Sequence, residues 1–407
     1  MRSGSGNPNS PPAENALPAV VLLVFAAAAG LSVANIYYAQ PLLDAIAADF
    51  DIAPAVIGGV VMLTQVGYGL GLIFIVPLGD LIDRRTLIIV QGVLSTIALV
   101  AIAMARTEAM LFVGMAAVGC LAVLVQVLVA FAATLAAPAE HGKAIGTVTS
   151  GIVIGILAAR SVAGLLADLG GWRSVYAVSA VLIFAMTCVL ARILPRGLAP
   201  DSHDSYAVAV RSIPRLFAND RIALVRGILA MLSFASFSTL WTSLVLPLSA
   251  EPYGYSHTQI GLFGLVGMAG ALAASSAGRL ADRGFDRWIT GSSLALLFAS
   301  WALIALLPRS IPALVVGIVV LDLAVQAIHV TNQSILVSRH PEARSRLIGG
   351  YMLFYSVGSA PGAITSTLAF AAAGWTGVAM LGAGFALAGL LVWLVTLQPG
   401  RRNAPAG

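Results

Sequence analysis

The sequence is short of charge. Only 10% of its 407 residues are Asp, Glu, Lys or Arg, against about 25% in a soluble domain. Lysine is scarcer still, since Lys143 is the one lysine among 22 basic residues. There are two cysteines, Cys120 and Cys188. Both fall inside apolar runs, which argues against a disulfide framework. No His/Cys/Asp/Glu cluster has metal-ligand spacing, no nucleophile–base set appears and no glycine-rich phosphate loop occurs. These gaps argue against an enzyme and leave no metal or cofactor to expect. The net charge of +5 is ordinary where basic residues orient loops, and it does not imply nucleic acid.

What is present is apolar. Hydrophobic residues make up 59% of the chain and the mean hydropathy is +0.96, so most of the chain must sit in a lipid bilayer. Runs long enough to cross one, about 20 residues, occur twelve times: roughly 17–46, 56–79, 87–105, 109–136, 145–168, 174–195, 223–250, 258–279, 288–307, 311–336, 347–371 and 376–397. The first could pass for a secretory signal, but it runs too long and carries Asn35, Tyr37, Tyr38 and Gln40 before its end. It reads as a mature helix. The expected fold is an all-α membrane protein of twelve helices in two six-helix, pseudo-symmetric halves.

Basic residues set the orientation. Eighteen of them fall in one set of loops and three (Arg106, Arg173, Arg309) in the other, with Arg160 left inside a span. The bias puts both termini in the cytoplasm of a multi-pass inner-membrane protein. The organisation that follows is a tail over 1–16, a six-helix bundle over 17–195, a cytoplasmic linker over 196–222, a second bundle over 223–397 and a tail over 398–407.

The two bundles echo each other. Gly79-Asp80-Leu81-Ile82-Asp83-Arg84-Arg85 follows the second span, and Gly278-Arg279-Leu280-Ala281-Asp282-Arg283 follows the eighth. Gly171-Trp172 closes span five and Gly374-Trp375 closes span eleven. Gln126 in span four matches Gln326 in span ten. Duplicated bundles of this kind usually build transporters, with the substrate site between the halves.

These features resemble the major facilitator superfamily, over roughly residues 17–397. The loop pattern Gly-x-Leu-x-Asp-Arg is kept by Gly79, Leu81, Asp83 and Arg84 and again by Gly278, Leu280, Asp282 and Arg283. The run Asn35 to Leu43, with Asn332-Gln333, resembles the bacterial drug:proton antiporter branch. Gly155-Ile156 departs from the Gly-Pro that the antiporter motif carries in span five. The resemblance implies a rocking mechanism, with spans one, four, seven and ten around a central cavity. It also implies that the loop carboxylates lock the cytoplasmic gate. A carboxylate at a helix N-terminus beside Arg makes a latch that can break and reform; enforcing topology is the plainer role for Arg84 and Arg85.

Polar residues inside spans carry the rest. Asp322, Gln326, His329 and Gln333 fall on one face of span ten. Asp322 sits near the bilayer midplane, where a carboxylate costs about 2.5–3.5 kcal/mol and should face a cavity or a partner. It suits proton coupling, with His329 and Arg160 as further candidates for that role; packing by a neutral, hydrogen-bonded Asp322 is the alternative. Arg160 needs a carboxylate, a carbonyl cluster or an anionic substrate, unless it snorkels to the membrane surface. Asn35 and Tyr38 on one face of span one, Gln65, Tyr68, Gln126, Trp241 and Tyr355 are further candidates for the cavity wall, with packing or interfacial anchoring the alternative for each. Gly261, Gly264, Gly267 and Gly270 read as close-approach residues. The expected activity is proton-coupled export of small amphipathic compounds by a monomer, with protons, the substrate and the bilayer as partners. An importer or organic-anion transporter in which Arg160 holds a substrate carboxylate is the alternative, and a receptor on a transporter scaffold is a third reading.

Overall fold

The computed structural model describes residues 19–137, 140–195, 206–273, 286–339 and 344–397, and among these every regular element is helical. In chain order they are α1 (Ala19–Ala34), α2 (Leu43–Phe50), α3 (Gly59–Phe74), α4 (Arg84–Ala103), α5 (Glu108–Leu121), α6 (Leu124–Leu135), α7 (His141–Gly170) and α8 (Trp172–Ile193). Then come α9 (Tyr206–Asn219), α10 (Arg221–Ser243), α11 (Val245–Ser249), α12 (His257–Ala273), α13 (Asp286–Ile304), α14 (Ile311–Arg339) and α15 (Arg344–Leu397). Nine helical stretches among the described residues are long and apolar enough to cross a membrane, and Ala19–Ala34 is a shorter apolar helix.

The breaks in these helices differ from the sequence expectation. Spans eleven and twelve run together as α15, interrupted only at Ala373 and Gly374. Span four divides into α5 and α6 around Ala122–Val123, and the Ala122 carbonyl turns toward Ser32 Oγ of α1. Span one stops being α-helical after Ala34. It passes through a turn and a 3-10 segment at Gln40–Leu42, with Pro41 in its first turn, before α2 begins. The expected polar linker holds a helix, α9. Tyr206 at its start donates to the Phe74 carbonyl of α3 at 2.8 Å, and Phe217 near its end packs on Phe354 of α15 with ring centroids 5.2 Å apart. α9 therefore touches both halves at one end of the bundle, the linker end.

The echo between the halves is physical. Gly171 (φ +77°) and Gly374 (φ +59°) both occupy backbone conformations that L side chains rarely adopt, so each lets one long helix end and the next begin on a tryptophan. Within each half, glycines weld two helices together. A methyl on Gly151 or Gly155 of α7 would collide with the backbone of α1 at Ala26 and Gly30. A methyl on Gly358 or Gly362 of α15 would collide with the backbone of α10 at Met231 and Ala235.

The halves meet where α7 packs on α12 and where α3 packs on α15. Ser161 Oγ donates to the Gly261 carbonyl at 2.8 Å, Thr367 Oγ1 to the Ala55 carbonyl at 2.8 Å, and Ser356 Oγ to the Gln65 carbonyl. These contacts run from the middle of the bundle to the end opposite α9, the far end.

Candidate functional site

Arg160 and Asp322 come together at the middle of this seam. Arg160 lies on α7 and is only 3% exposed; Asp322 lies on α14 and is 4% exposed. Arg160 does not run out along the helix to the surface. Its Nε donates to Gln40 Oε1 at 2.7 Å, and its guanidinium stands 3.9 Å above the ring of Trp241. The same indole donates through Nε1 to Asp322 Oδ1 at 3.2 Å. Trp241, on α10, is thus a joint between the two charges: its face carries the cation and its edge holds the carboxylate. Tyr37 and Phe237 bring their rings to 5.1 and 5.5 Å of the guanidinium. Cation–π contacts of this kind strengthen when desolvated. Arg160 Nη2 is buried without a hydrogen-bond partner among the described residues.

The glycine row on α12 makes this approach possible. A methyl on Gly264 would press on the Arg160 side chain, and one on Gly267 would strike the Asp322 carboxylate. Gly261 meets the Arg160 backbone and Gly270 meets Val319. One helix therefore faces both charged residues through its missing side chains.

A second polar group adjoins the first. Tyr37 and Tyr355 share a hydrogen bond of 2.7 Å between hydroxyls, and Gln65 Nε2 donates to Tyr355 Oη at 3.3 Å. Gln126 Nε2 donates to Tyr68 Oη at 3.4 Å, and Tyr68 meets Tyr355 edge to face. Phe234 packs on Tyr355 at 4.4 Å and on the His329 ring at 5.3 Å. His329 Nδ1 lies 3.2 Å from Tyr351 Oη, and Gln333 Nε2 lies 3.2 Å from His329 Nε2. Gln326 is half-buried between Asp322 and His329. Asn35 and Tyr38 are not brought to this group. Asn35 accepts from Ser179 of α8 at 2.6 Å, and Tyr38 lies beside the same serine, so both face α8 of the first half. Gln40 and Tyr37 are the residues the sequence reading leaves without a role.

The family described as "Major Facilitator Superfamily" matches residues 21–225 and 226–407. The chain belongs to the Major Facilitator Superfamily. It is 45% identical over 376 residues to "Uncharacterized transporter YgaY" of Escherichia coli O157:H7, covering 92% of this chain and 95% of that one. It is 31% identical over 408 residues to "Probable transporter SCO4007" of Streptomyces coelicolor, covering 98% and 91%. Among solved structures, a bacterial homologue of the human lysosomal transporter Spinster, in an inward-facing and occupied conformation, superposes with a TM-score of 0.75. It covers 95% of this chain and 99% of its own at 14% identity, a likeness of fold. The protein is a multi-pass membrane transporter of this superfamily and not an enzyme.

The superfamily loop after α3 is described; Gly278, Asp282 and Arg283 of the second copy lie outside the described residues. Asp83 caps α4, with Oδ2 accepting from Thr86 N at 3.0 Å and from Thr86 Oγ1 at 2.8 Å. Arg84 Nε reaches back to the Gly79 carbonyl at 2.9 Å and its Nη1 to Thr134 Oγ1 of α6. Arg85 Nη2 bonds the Ala191 carbonyl of α8. These bonds all stay inside the first half. Asp83 Oδ1 is buried with no hydrogen-bond partner among the described residues.

Proposed function

We propose that this transporter exports small amphipathic compounds by alternating access, driven by protons that bind at Asp322. The supporting observation is the buried set Asp322–Trp241–Arg160–Gln40. A carboxylate and a guanidinium from opposite halves share one indole, so protonating Asp322 changes the charge balance at the contact where the halves meet. Asp322, His329 and Gln333 continue along one face of α14 toward the linker end, a track for a proton. Tyr37, Gln65, Tyr68, Gln126, Phe234 and Tyr355 supply mixed aromatic and polar wall, which suits amphipathic cargo. On this reading the halves span 17–195 and 223–397 and together supply twelve crossings. The linker 196–222 and both termini face the cytoplasm of an inner-membrane monomer. Asp83, whose described hydrogen bonds stay inside the first half, would engage the second half when the linker end closes.

The test is flux. A susceptibility panel on an expressing strain, with an Asp322→Asn control, selects a compound. Proteoliposomes with an imposed pH gradient then measure its transport. Asp322→Asn should abolish concentration against the gradient yet keep binding, and Asp322→Glu should keep part of the activity. If Asp322→Asn still concentrates the compound, Asp322 is not the coupling site.

The partnerless Nη2 of Arg160 favours one second reading, an importer or organic-anion transporter in which that nitrogen takes a substrate carboxylate. Deletion would then lower accumulation of the compound and leave resistance unchanged.

A further inference from the structure

A second cluster of titratable side chains joins the halves at the far end. His257 is the first residue of α12 in the second half. Its Nε2 lies 3.1 Å from Asp44 Oδ1 of α2, and its Nδ1 lies 3.2 Å from Asp168 Oδ1 of α7. Asp168 also accepts from His257 N at 3.1 Å and, through Oδ2, from Thr258 N at 2.8 Å. It thereby caps α12 from across the seam. A methyl on Gly164, one turn back along α7, would collide with the His257 carbonyl, so the backbones touch at this point.

Both ring nitrogens face carboxylate oxygens. An ionised carboxylate only accepts, and a neutral imidazole has only one N–H. The arrangement is complete only when His257 carries both protons. We infer that His257, Asp44 and Asp168 form a proton-operated latch between the halves at the far end, separate from Asp322. The inference rests on the alternating-access reading for the motion it controls, and not on Asp322 as the coupling group.

The surrounding charges fit. From α2 the facing group is Asp44, and from α7 it is Asp168. The 3-10 segment Gln40–Leu42 and α11 carry no charged residue. Asp49 of α2 is taken by Arg173 and by the Trp172 indole. The hydrogen bond that His257 donates to Asp44, with that carboxylate's charge and the pair of contributions from Asp168, holds the His257 pKa above its ordinary 6.5, against partial burial that lowers it. A raised value means the latch contributes fully below the ordinary histidine range and is lost as pH climbs through the shifted value. Acid on the far side therefore keeps that side shut.

The spatial series along α7 links the latch to the central site. Asp168, Gly164 and Arg160 lie one turn apart on one face, opposite His257, Gly261 and Gly264 of α12. Releasing Asp168 from His257 frees the same pair of helices that hold Arg160.

Electron-spin distance measurements on the full chain test this without a known substrate. Cysteines replace the exposed Glu108 and Arg309 at the far ends of the two halves, and Cys120 and Cys188 become serine. In lipid nanodiscs, the short-distance population should dominate at about pH 6. A longer one should grow above the ordinary histidine value, with the open-to-closed ratio changing up to about tenfold per pH unit. His257→Gln should flatten that response, His257→Arg should stay closed throughout, and Asp44→Asn should move the transition to lower pH. Asp322→Asn should keep the native response, so loss of the coupling site and loss of the latch are read separately. A native pH response surviving in both His257→Gln and Asp44→Asn would overturn the latch, as would a native protein whose distances ignore pH.

Discussion

Gln40 shows how one neutral side chain can decide the state of a buried charge. It gives Arg160 its single hydrogen-bonded acceptor among the described residues; the guanidinium also stands over the rings of Tyr37, Phe237 and Trp241. A hydrogen bond to a charged group is worth about 1.5–3 kcal/mol. Gln40→Leu should therefore lower stability by about that amount, read as a fall in melting temperature in detergent, while Gln40→Glu should keep the fold. An unchanged melting temperature in Gln40→Leu would mean that Trp241 alone holds the cation. Arg160 and Asp322 were legible in the sequence because an ionised group in a long apolar run has no ordinary reason to be there. Gln40 was not. Its role depends on Tyr37 and Gln40 facing the seam, in the non-α segment after Ala34, while Asn35 and Tyr38 face α8. Helical spacing made Asn35 and Tyr38 candidates for the cavity wall, with packing as the alternative, and both lie beside Ser179 of α8.

At the scale of elements, the helix pairs α1–α7 and α10–α15 are built alike. Small residues bring backbones into contact, and no side chain can be added without moving a helix. Overpacking a site of this kind costs about 1–3 kcal/mol, so Gly358→Val should destabilise the protein by about that much and slow any motion that slides α15 on α10. Native thermal stability in Gly358→Val would show that α10 can give way. The Gly-Trp repeats were readable because glycine at a helix end announces a left-handed residue. The division between α5 and α6 was not, since Ala122 and Val123 carry no turn chemistry. Helix α9 was hidden by the polar residues before it, although Tyr206 and Phe217 are the side chains that fix its two ends.

The whole molecule follows from duplication and charge bias. Eighteen basic residues on one side against three on the other predict that the linker faces the cytoplasm. A cysteine at position 205, in a chain without Cys120 and Cys188, should react only with maleimides that cross the membrane. Labelling by an impermeant maleimide in intact cells would invert the proposed orientation. The two-halved bundle was legible because each crossing needs a run of apolar residues that nothing else requires. The gathering of α2, α7 and α12 around His257 was not, because its three side chains come from distant points of the sequence, in short polar stretches that look like ordinary loop ends.

The scarcity of lysine has a use. Lys143 is the one lysine, its side chain is 71% exposed, and it stands at the linker end of α7. Twenty-five residues further along the same helix is Asp168, about 38 Å away at the α-helical rise. An amine-reactive dye would thus put its side-chain label on the helix that carries Arg160 and the far-end carboxylate. Paired with an acceptor on the thiol introduced by Arg309→Cys, in a chain without Cys120 and Cys188, that fluorophore would let single molecules be watched as they switch, with the reporter fixed by the composition of the protein itself.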